Sequence, residues 1–483
     1  MAGSRAERID EPLRRVARLC SAMLFLLLGH ITLVQAFGSR ALNSDHRNER
    51  PLIDKFDRPR GDILTYDGTP IATSRPTGAG PYLYRRFYRD GEQYAAVTGH
   101  QSLYSSTGIE QARDGVLSGD DPKVKVRSLV RDGVVEGADV RLTIRDRVQR
   151  AAYQGLKATG LPGAVVAIDP ATGAILALAT YPTYDPNALT TSDPARLSET
   201  SRRLGQDPSH PLLNRALNQL YPPGSTFKLV TAAAALASGE YTPSALVDAP
   251  ARLRLPGTST FLQNANGGGC GDARPTLTYA FQVSCNTAFA NIGLQLGQDL
   301  LRDQAEAFGF NAPSLAIPLV ATASRYPLGL DRSQTALSAI GHHDSRVTPL
   351  MVAMLSAAVA DNGVLMRPYL VEEVRLPDGS VIDRANPAVY RTAVSPPVAR
   401  NLVAMMTTTP RAMAARESGV AGPETAAIAA SKVIPGTDDH AVITAFAPAN
   451  APEVAVGVVL EHPGARAQAV TTIVHDVIRA ALE

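Results

Sequence analysis

Ser225 and Lys228 are the residues of this chain whose types and spacing most directly suggest chemistry. They belong to the stretch Tyr221-Pro-Pro-Gly-Ser-Thr-Phe-Lys228, which runs into an apolar, Ala-rich segment, Leu229 to Leu236. That segment has good helix propensity. Pro222, Pro223 and Gly224 break any helix before it and mark a start. Residues three apart on a helix share a face, so the spacing brings a hydroxyl and an ammonium together. A serine hydroxyl is a weak nucleophile until a neighbouring base takes its proton. A lysine serves as that base when burial or nearby cations lower its pKa. The helix N-terminus adds backbone N–H groups and a positive dipole end for a developing anion. The plain alternative is a solvated helix face, since S-x-x-K arises by accident in a long chain.

Lysine usage bears on that choice. The chain has 47 Lys plus Arg, and only six are Lys: Lys55, Lys123, Lys125, Lys157, Lys228 and Lys432. After Lys157 only Lys228 and Lys432 remain. Arginine stays charged at any working pH, whereas lysine can lose its proton. A chain that writes nearly every cation as Arg has kept Lys at these two places. A second candidate is Ser284-Cys285-Asn286, set between a Gly-rich loop, Asn266–Gly271, and an apolar helical segment. A hydroxyl can relay a proton and an amide can hold a substrate carbonyl. Both residues are also common helix caps, and taken alone the motif reads as an ordinary cap.

The elements that must position these groups come next. At 483 residues two or more domains are expected, because single cores rarely grow past about 250–300 residues. A net charge of +2 without a basic block argues against a nucleic-acid partner. Leu19 to Phe37 is a run of 19 residues without a charged side chain, preceded by Arg5, Arg8, Arg14, Arg15 and Arg18. Its length suits a membrane span, with the N-terminus cytoplasmic by the positive-inside tendency. The competing reading is a cleaved signal peptide, with Val34-Gln35-Ala36 as the cleavage site. Both readings export the rest of the chain. Cys270 and Cys285, 15 residues apart, would then meet an oxidising compartment and could close a disulfide or remain buried thiols.

Residues 40–56 read as a loose linker. Arg58 to Ala72 reads as strand, Asp-Gly turn and strand, and residues 73–140 as short strands among Gly- and Pro-rich turns, with a short helix at Gly108–Leu117. Gly137 to Asp146 is a strand leading to a helix at Arg147–Thr159. Gly163–Ala179 is a hairpin whose strands are apolar on both faces, turning at Asp169–Gly173. A helix-rich stretch over 195–430 is followed by strands at Ala441–Ala447 and Glu453–Leu460, and by a helix at Ala465–Leu482. Early and late strands separated by helices predict one antiparallel sheet built from both ends of the domain and covered by helices, an α+β arrangement.

S-x-x-K, then S-x-N 59 residues later, then a late lysine-bearing strand resembles the motif order of penicillin-binding proteins and serine β-lactamases. The flanks extend the likeness. Arg60-Gly61-Asp62-Ile63 with Asp67-Gly68 looks like the start of a class B pedestal. Gly163–Ala179 with Asp185-Pro186-Asn187 looks like the entry to a transpeptidase domain. Leu213 to Ala216, Ile340-Gly341, Val347 to Leu350 and Phe446-Ala447-Pro448 complete a resemblance to monofunctional, actinobacterial-type transpeptidases over residues 55–480. The resemblance implies a β-lactamase/transpeptidase-like domain at 158–483 and a smaller β-rich pedestal at 38–157. A transmembrane anchor would occupy 19–37 and a cytoplasmic tail 1–18. Ser225 would be the acylated nucleophile, Lys228 its base, Ser284 and Asn286 the second motif, and Lys432 the third. The implied partners are stem peptides ending in D-Ala-D-Ala, β-lactams as their mimics, the membrane, and a membrane glycosyltransferase. No metal or other cofactor is implied.

The third motif departs from the family's Lys-Thr/Ser-Gly, reading Lys432-Val433-Ile434-Pro435. Val433 removes a hydroxyl that would bond the substrate carboxylate. Ile434 replaces a glycine that lets the substrate backbone approach. Pro435 falls where an oxyanion N–H is taken, and proline has none. Loss of one such donor costs about 10²–10³ in rate. Two readings of function follow: a working D,D-transpeptidase, and a catalytically impaired scaffold on the same fold. A secreted β-lactamase fits less well, because a pedestal and an anchor would be surplus.

Overall fold

The computed structural model describes residues 4–33, 56–78, 82–131, 136–265, 267–313, 315–407, 425–430 and 440–483. It divides into two compact units, Met1–Arg58 with Thr77–Tyr84, and Pro59–Pro76 with Arg85–Glu483. In the first unit, helix α1 (Ser4–Leu33) carries the apolar run. Its stretch Arg14–Leu33 is long and apolar enough to cross a membrane. Residues 34–37 of the expected span and 40–55 of the expected linker lie outside the described residues.

The second unit opens with β1 (Ile63–Leu64) and β2 (Pro70–Pro76), joined through Asp67-Gly68, then β3 (Tyr84–Tyr88). Four short helices follow, α2 (Gly91–Thr98), α3 (Gly108–Ala112), α4 (Asp114–Ser118) and α5 (Pro122–Arg131), before β4 (Asp139–Leu142). The helix expected at Gly108–Leu117 is present as α3 and α4, while α2 and α5 are helices where short strands and turns were expected. These helices run one to three turns, too short to show a 3.6-residue period, and burial of Tyr94, Val97, Ile109 and Leu117 decides their state. Several glycines that read as turns are helix ends, such as Gly119 at the C-terminus of α4 with φ +83°. Arg60 and Arg86 clamp the fully buried Glu110 at 3.2 and 2.5 Å. Burial alone would raise the Glu110 pKa, and the two guanidiniums outweigh it and hold the carboxylate below its usual value.

Then come α6 (Asp146–Thr159), β5 (Gly163–Ile168), β6 (Ile175–Tyr181), α7 (Pro194–Gln206) and α8 (Arg215–Asn218). A 3-10 turn, Gly224–Phe227, leads into α9 (Lys228–Ala237), β7 (Arg252–Arg254), β8 (Phe261–Gln263), α10 (Leu277–Gln282) and α11 (Asn286–Ala307). The chain continues through β9 (Leu315–Ala316), β10 (Val320–Ala321), α12 (Arg332–Ser338) and α13 (Pro349–Ala360). Four strands follow, β11 (Val364–Met366), β12 (Val371–Arg375), β13 (Val381–Arg384) and β14 (Val389–Thr392), then α14 (Pro396–Thr407). It ends with β15 (Ala426–Ala430), β16 (His440–Ala447), β17 (Val454–Glu461) and α15 (Ala469–Leu482). The stretch read as helix-rich thus also holds, among the described residues, nine short strands, β7 to β15, each two to five residues long.

The central sheet has the order β15-β16-β17-β5-β6 and every pairing is antiparallel. Both of its faces are covered, which explains the unbroken apolar strands. Ala164, Val166 and Ile168 turn toward the cluster that contains α9, α11 and α13. Val165 and Ala167 turn to the other face, against Val148, Ala152, Ile473 and Val477 of α6 and α15. Helix α13 is buried along its whole length, and Thr348 caps it by accepting from the Met351 N–H at 3.2 Å. A second sheet has the order β13-β12-β4-β1-β2-β3, so two strands from 371–384 complete the sheet begun at residue 63.

Candidate active site

The nucleophile segment is braced before it is reactive. Tyr221 and Val347 exchange backbone hydrogen bonds of 2.8 Å in both directions. The Tyr221 hydroxyl and the Arg215 guanidinium both donate to Glu461, at 2.8 and 3.0 Å. Beyond Pro222 and Pro223, the Gly224 N–H donates to Gly341 O at 3.2 Å, and the Thr226 hydroxyl to Pro223 O at 2.7 Å. Phe227 stacks on Tyr326 at 5.4 Å and meets Phe310 edge-on at 5.6 Å. Ser225 therefore sits in a 3-10 turn just ahead of α9, and Lys228 is the first residue of that helix. Gly341 lets the brace come this close: with φ +78°, a Cβ there would lie 2.0 Å from Gly224 O.

Ser284-Cys285-Asn286 joins α10 to α11, with Ser284 in the left-handed region at φ 53°. Asn286 begins α11 and Cys285 is its N-cap residue. The cap bond comes from elsewhere: Asn264 Oδ1 accepts from the Thr287 N–H at 3.1 Å, and Asn264 Nδ2 donates to Gly268 O at 2.9 Å. Cys270 and Cys285 form a disulfide with Cα atoms 5.9 Å apart, tying the Gly-rich loop to the motif.

These two segments meet at Lys228. Its Nζ lies 2.7 Å from Ser284 O, 2.7 Å from Asn286 Oδ1, 2.9 Å from Ser284 Oγ and 3.2 Å from Ser225 Oγ. Lys228 is fully buried. Burial pushes its ammonium pKa down to about 7. A carbonyl and an amide oxygen only accept, so they take the two N–H groups of the neutral amine. The lone pair is left for the two hydroxyls, of Ser225 and Ser284. The geometry thus offers a base that can take a proton from one hydroxyl and pass it to the other. Asn286 Nδ2 donates to Gln263 O at 3.2 Å, which sets the orientation of its amide. His342 is held neutral, pushed down to about 4 by burial and by the lysine charge.

Of the sequence-predicted residues, Ser225, Lys228, Ser284 and Asn286 are within hydrogen-bonding reach of one centre. Lys432, Val433, Ile434 and Pro435 lie outside the described residues, between Ala430 at the end of β15 and His440 at the start of β16. Sequence reasoning missed Asn264 and Gly341 as positioning residues. Asn264 carried no signal beyond a turn-forming neighbourhood. Gly341 stood in a recognised flank, but only its approach to Gly224 reveals its use.

A family model described as penicillin binding protein transpeptidase domain matches residues 163–479. A second, penicillin binding protein A dimerisation domain, matches residues 60–140. The chain is 42% identical over 477 residues to the peptidoglycan D,D-transpeptidase PbpA of Mycolicibacterium smegmatis, covering 95% of this chain and 96% of the relative. It is 39% identical to the protein of the same name from Mycobacterium tuberculosis, at 95% and 96% coverage. The imipenem acyl-enzyme complex of penicillin-binding protein A from M. tuberculosis superposes with a TM-score of 0.85 at 39% identity, covering 89% of this chain and 100% of that one. The ceftriaxone acyl-enzyme complex gives a TM-score of 0.84 at 38% identity, with the same coverage.

Proposed function

The chain belongs to the penicillin-binding protein transpeptidase family, and from that premise we propose how its own residues carry out peptidoglycan D,D-transpeptidation. The single observation that carries the assignment is Lys228: buried, with its pKa down to about 7, and 3.2 Å from Ser225 Oγ. Neutral Lys228 takes the Ser225 hydroxyl proton as Oγ bonds to the penultimate D-Ala carbonyl carbon. The carbonyl electron pair moves onto oxygen, where the positive end of α9 favours the anion. Collapse breaks the C–N bond, and the departing D-Ala amine receives the proton from Lys228 through the Ser284 hydroxyl. The amine of a second stem peptide then attacks the ester, its proton returns by the same route, and Ser225 is restored. Asn286 holds the carbonyl of the acylating peptide. Lys432 is the third-motif lysine, and Val433, Ile434 and Pro435 are assigned to substrate binding. A β-lactam opens on Ser225 by the first half of this sequence.

Residues 158–483 act as the transpeptidase domain and 38–157 as a pedestal completed by β12 and β13. Residues 19–37 serve as a single-pass anchor, with a cytoplasmic tail at 1–18 and the catalytic domain outside the membrane. That arrangement suits docking to a membrane glycosyltransferase. The test is labelling of the full-length protein in detergent with a fluorescent penicillin, followed by peptide mapping. A covalent adduct on Ser225, absent in Ser225→Ala, is expected. A folded protein that takes no label at high probe concentration and releases no D-Ala would overturn the assignment and leave the scaffold reading.

A further inference from the structure

The hairpin β7–β8 presents a charged face beside the second motif, and nothing in the chemistry above uses it. Its register pairs Arg252 with Gln263, Leu253 with Leu262, and Arg254 with Phe261. Side chains opposite each other across a strand pair share a face. Leu253 and Leu262 therefore point inward together, and both pack on the main core. Arg252, Arg254, Phe261 and Gln263 form the outer face, all four exposed. Arg252 lies over the Phe261 ring at 4.8 Å, and Arg254 Nε donates to Thr258 O at 3.0 Å, so both side chains are tethered along the hairpin. Neither makes an ion pair among the described residues, whereas nearby Arg274 pairs with Asp248 at 2.9 Å. Gln263 O bonds Asn286 Nδ2, and Asn286 Oδ1 bonds the lysine that faces Ser225. Two guanidiniums without an ion pair among the described residues thus stand on a hairpin whose Gln263 backbone is linked to the nucleophile through Asn286 and Lys228. Such a face suits bidentate binding of carboxylates.

We propose that the outer face of β7–β8, through Arg252 and Arg254, is a specificity element that binds side-chain carboxylates of the acylating peptide as it runs past Asn286. This rests on the proposed transpeptidase reading. Guanidinium–carboxylate bonds favour an acidic peptide over its neutral twin, while a small β-lactam, engaged only at the serine and its immediate neighbours, does not reach them.

The experiment uses the full-length protein in detergent. D-Ala release is followed from a peptide ending in D-Ala-D-Ala with free side-chain carboxylates, and from the same peptide with those carboxylates amidated and its C-terminus unchanged. Acylation by benzylpenicillin is measured alongside. The double variant Arg252→Ala/Arg254→Ala should lower kcat/KM on the acidic peptide by about tenfold. The amidated peptide and penicillin should change by less than about twofold at these exposed positions. Arg252→Lys/Arg254→Lys should recover part of the acidic-peptide rate, and added salt should erase the preference. Equal losses on both peptides, or no loss on either, would overturn the proposal. If the wild-type protein neither takes penicillin at Ser225 nor releases D-Ala, the transpeptidase reading fails by itself. Binding of the two peptides by fluorescence anisotropy then decides the hairpin's role: charge-dependent binding lost in the Ala variant supports it, and equal binding overturns it.

Discussion

The proposed role of Lys228 as a base rests on its having, among the described residues, no charged group bonded to its Nζ. Its neighbours are neutral oxygens, and burial disfavours the ammonium. Below about pH 7 the folded protein holds Lys228 protonated, the lone pair is gone, and acylation should fall in proportion to the neutral fraction. The penicillin acylation rate should therefore rise with pH through about 7 and then level off. Lys228→Arg should abolish it, since arginine keeps its proton. Asn286→Asp is the sharper check. It sets a carboxylate where an amide oxygen now lies 2.7 Å from Nζ. An opposite charge that close raises the lysine pKa by roughly 1–3 on the pH scale. The limb should move up, with the rate depressed at neutral pH and regained in alkali. A profile that stays in place while the whole rate drops would mean that Asn286 serves the substrate alone. The local part of this site is legible in the sequence, because residues three apart along a helix start must be neighbours. The arrival of Ser284 and Asn286 is not, since 56 residues separate Ser284 from Lys228 and only tertiary packing joins them.

The elements around the nucleophile hold it through backbone contacts that composition does not reveal. The segment from Ala339 to Pro349 braces it twice, through Gly341 against Gly224 and through Val347 against Tyr221. Gly341→Ala should be costly for two reasons, a Cβ 2.0 Å from Gly224 O and a φ of +78°. A loss of about 1–3 kcal/mol in stability is expected from strain of this kind. The penicillin acylation rate should fall by more than about tenfold, because a misplacement of about 1 Å costs up to 10²-fold. Thermal melts and acylation kinetics on one preparation separate the two effects. Cys270→Ser tests the other brace. Freeing a 15-residue loop should cost about 3 kcal/mol by chain entropy. Acylation should slow even at temperatures where the protein stays folded, because Cys285 adjoins both Ser284 and Asn286. The long hairpin of β5 and β6 was legible from its apolar strands and Asp-to-Gly turn. Of the short helices before β4, the stretch of α3 and α4 was read as helix, whereas α2 and α5 were not, because two or three turns display too little of a period.

At the scale of the whole molecule, the chain doubles back in a way no local pattern announces. Strands β12 and β13 lie more than 200 residues beyond β4, yet they extend the sheet that begins at Ile63. A reading in chain order assigns them to the later domain, because their sequence is as strand-like in one place as in the other. What fixes them is Glu373. Its side chain is 2% exposed and accepts from Arg141 on β4 at 3.1 Å, from Arg375 at 2.5 Å and from Arg384 at 3.1 Å. Burial alone would raise this carboxyl, and the three guanidiniums outweigh it and hold its pKa below the usual carboxylate value. A carboxylate whose folded pKa is depressed contributes stability that is present above its unfolded pKa and lost as pH falls through the folded one. Glu373→Gln keeps the shape and removes the charge. It should cost about 1.5–3 kcal/mol at pH 7, the range for hydrogen bonds to a charged group. The loss should shrink as pH falls from the usual carboxylate range toward the depressed folded value, where the wild-type side chain itself takes a proton. Melting curves of both proteins from pH 7 to 3 should therefore converge at the acid end. Curves that stay parallel would show that Glu373 contributes through packing, and that apolar contacts hold β12 in the sheet. Because the pair joins residue 141 to residue 373, partial unfolding at acid pH should begin at this sheet, with protease cuts between β12 and β13 appearing before penicillin labelling of Ser225 is lost.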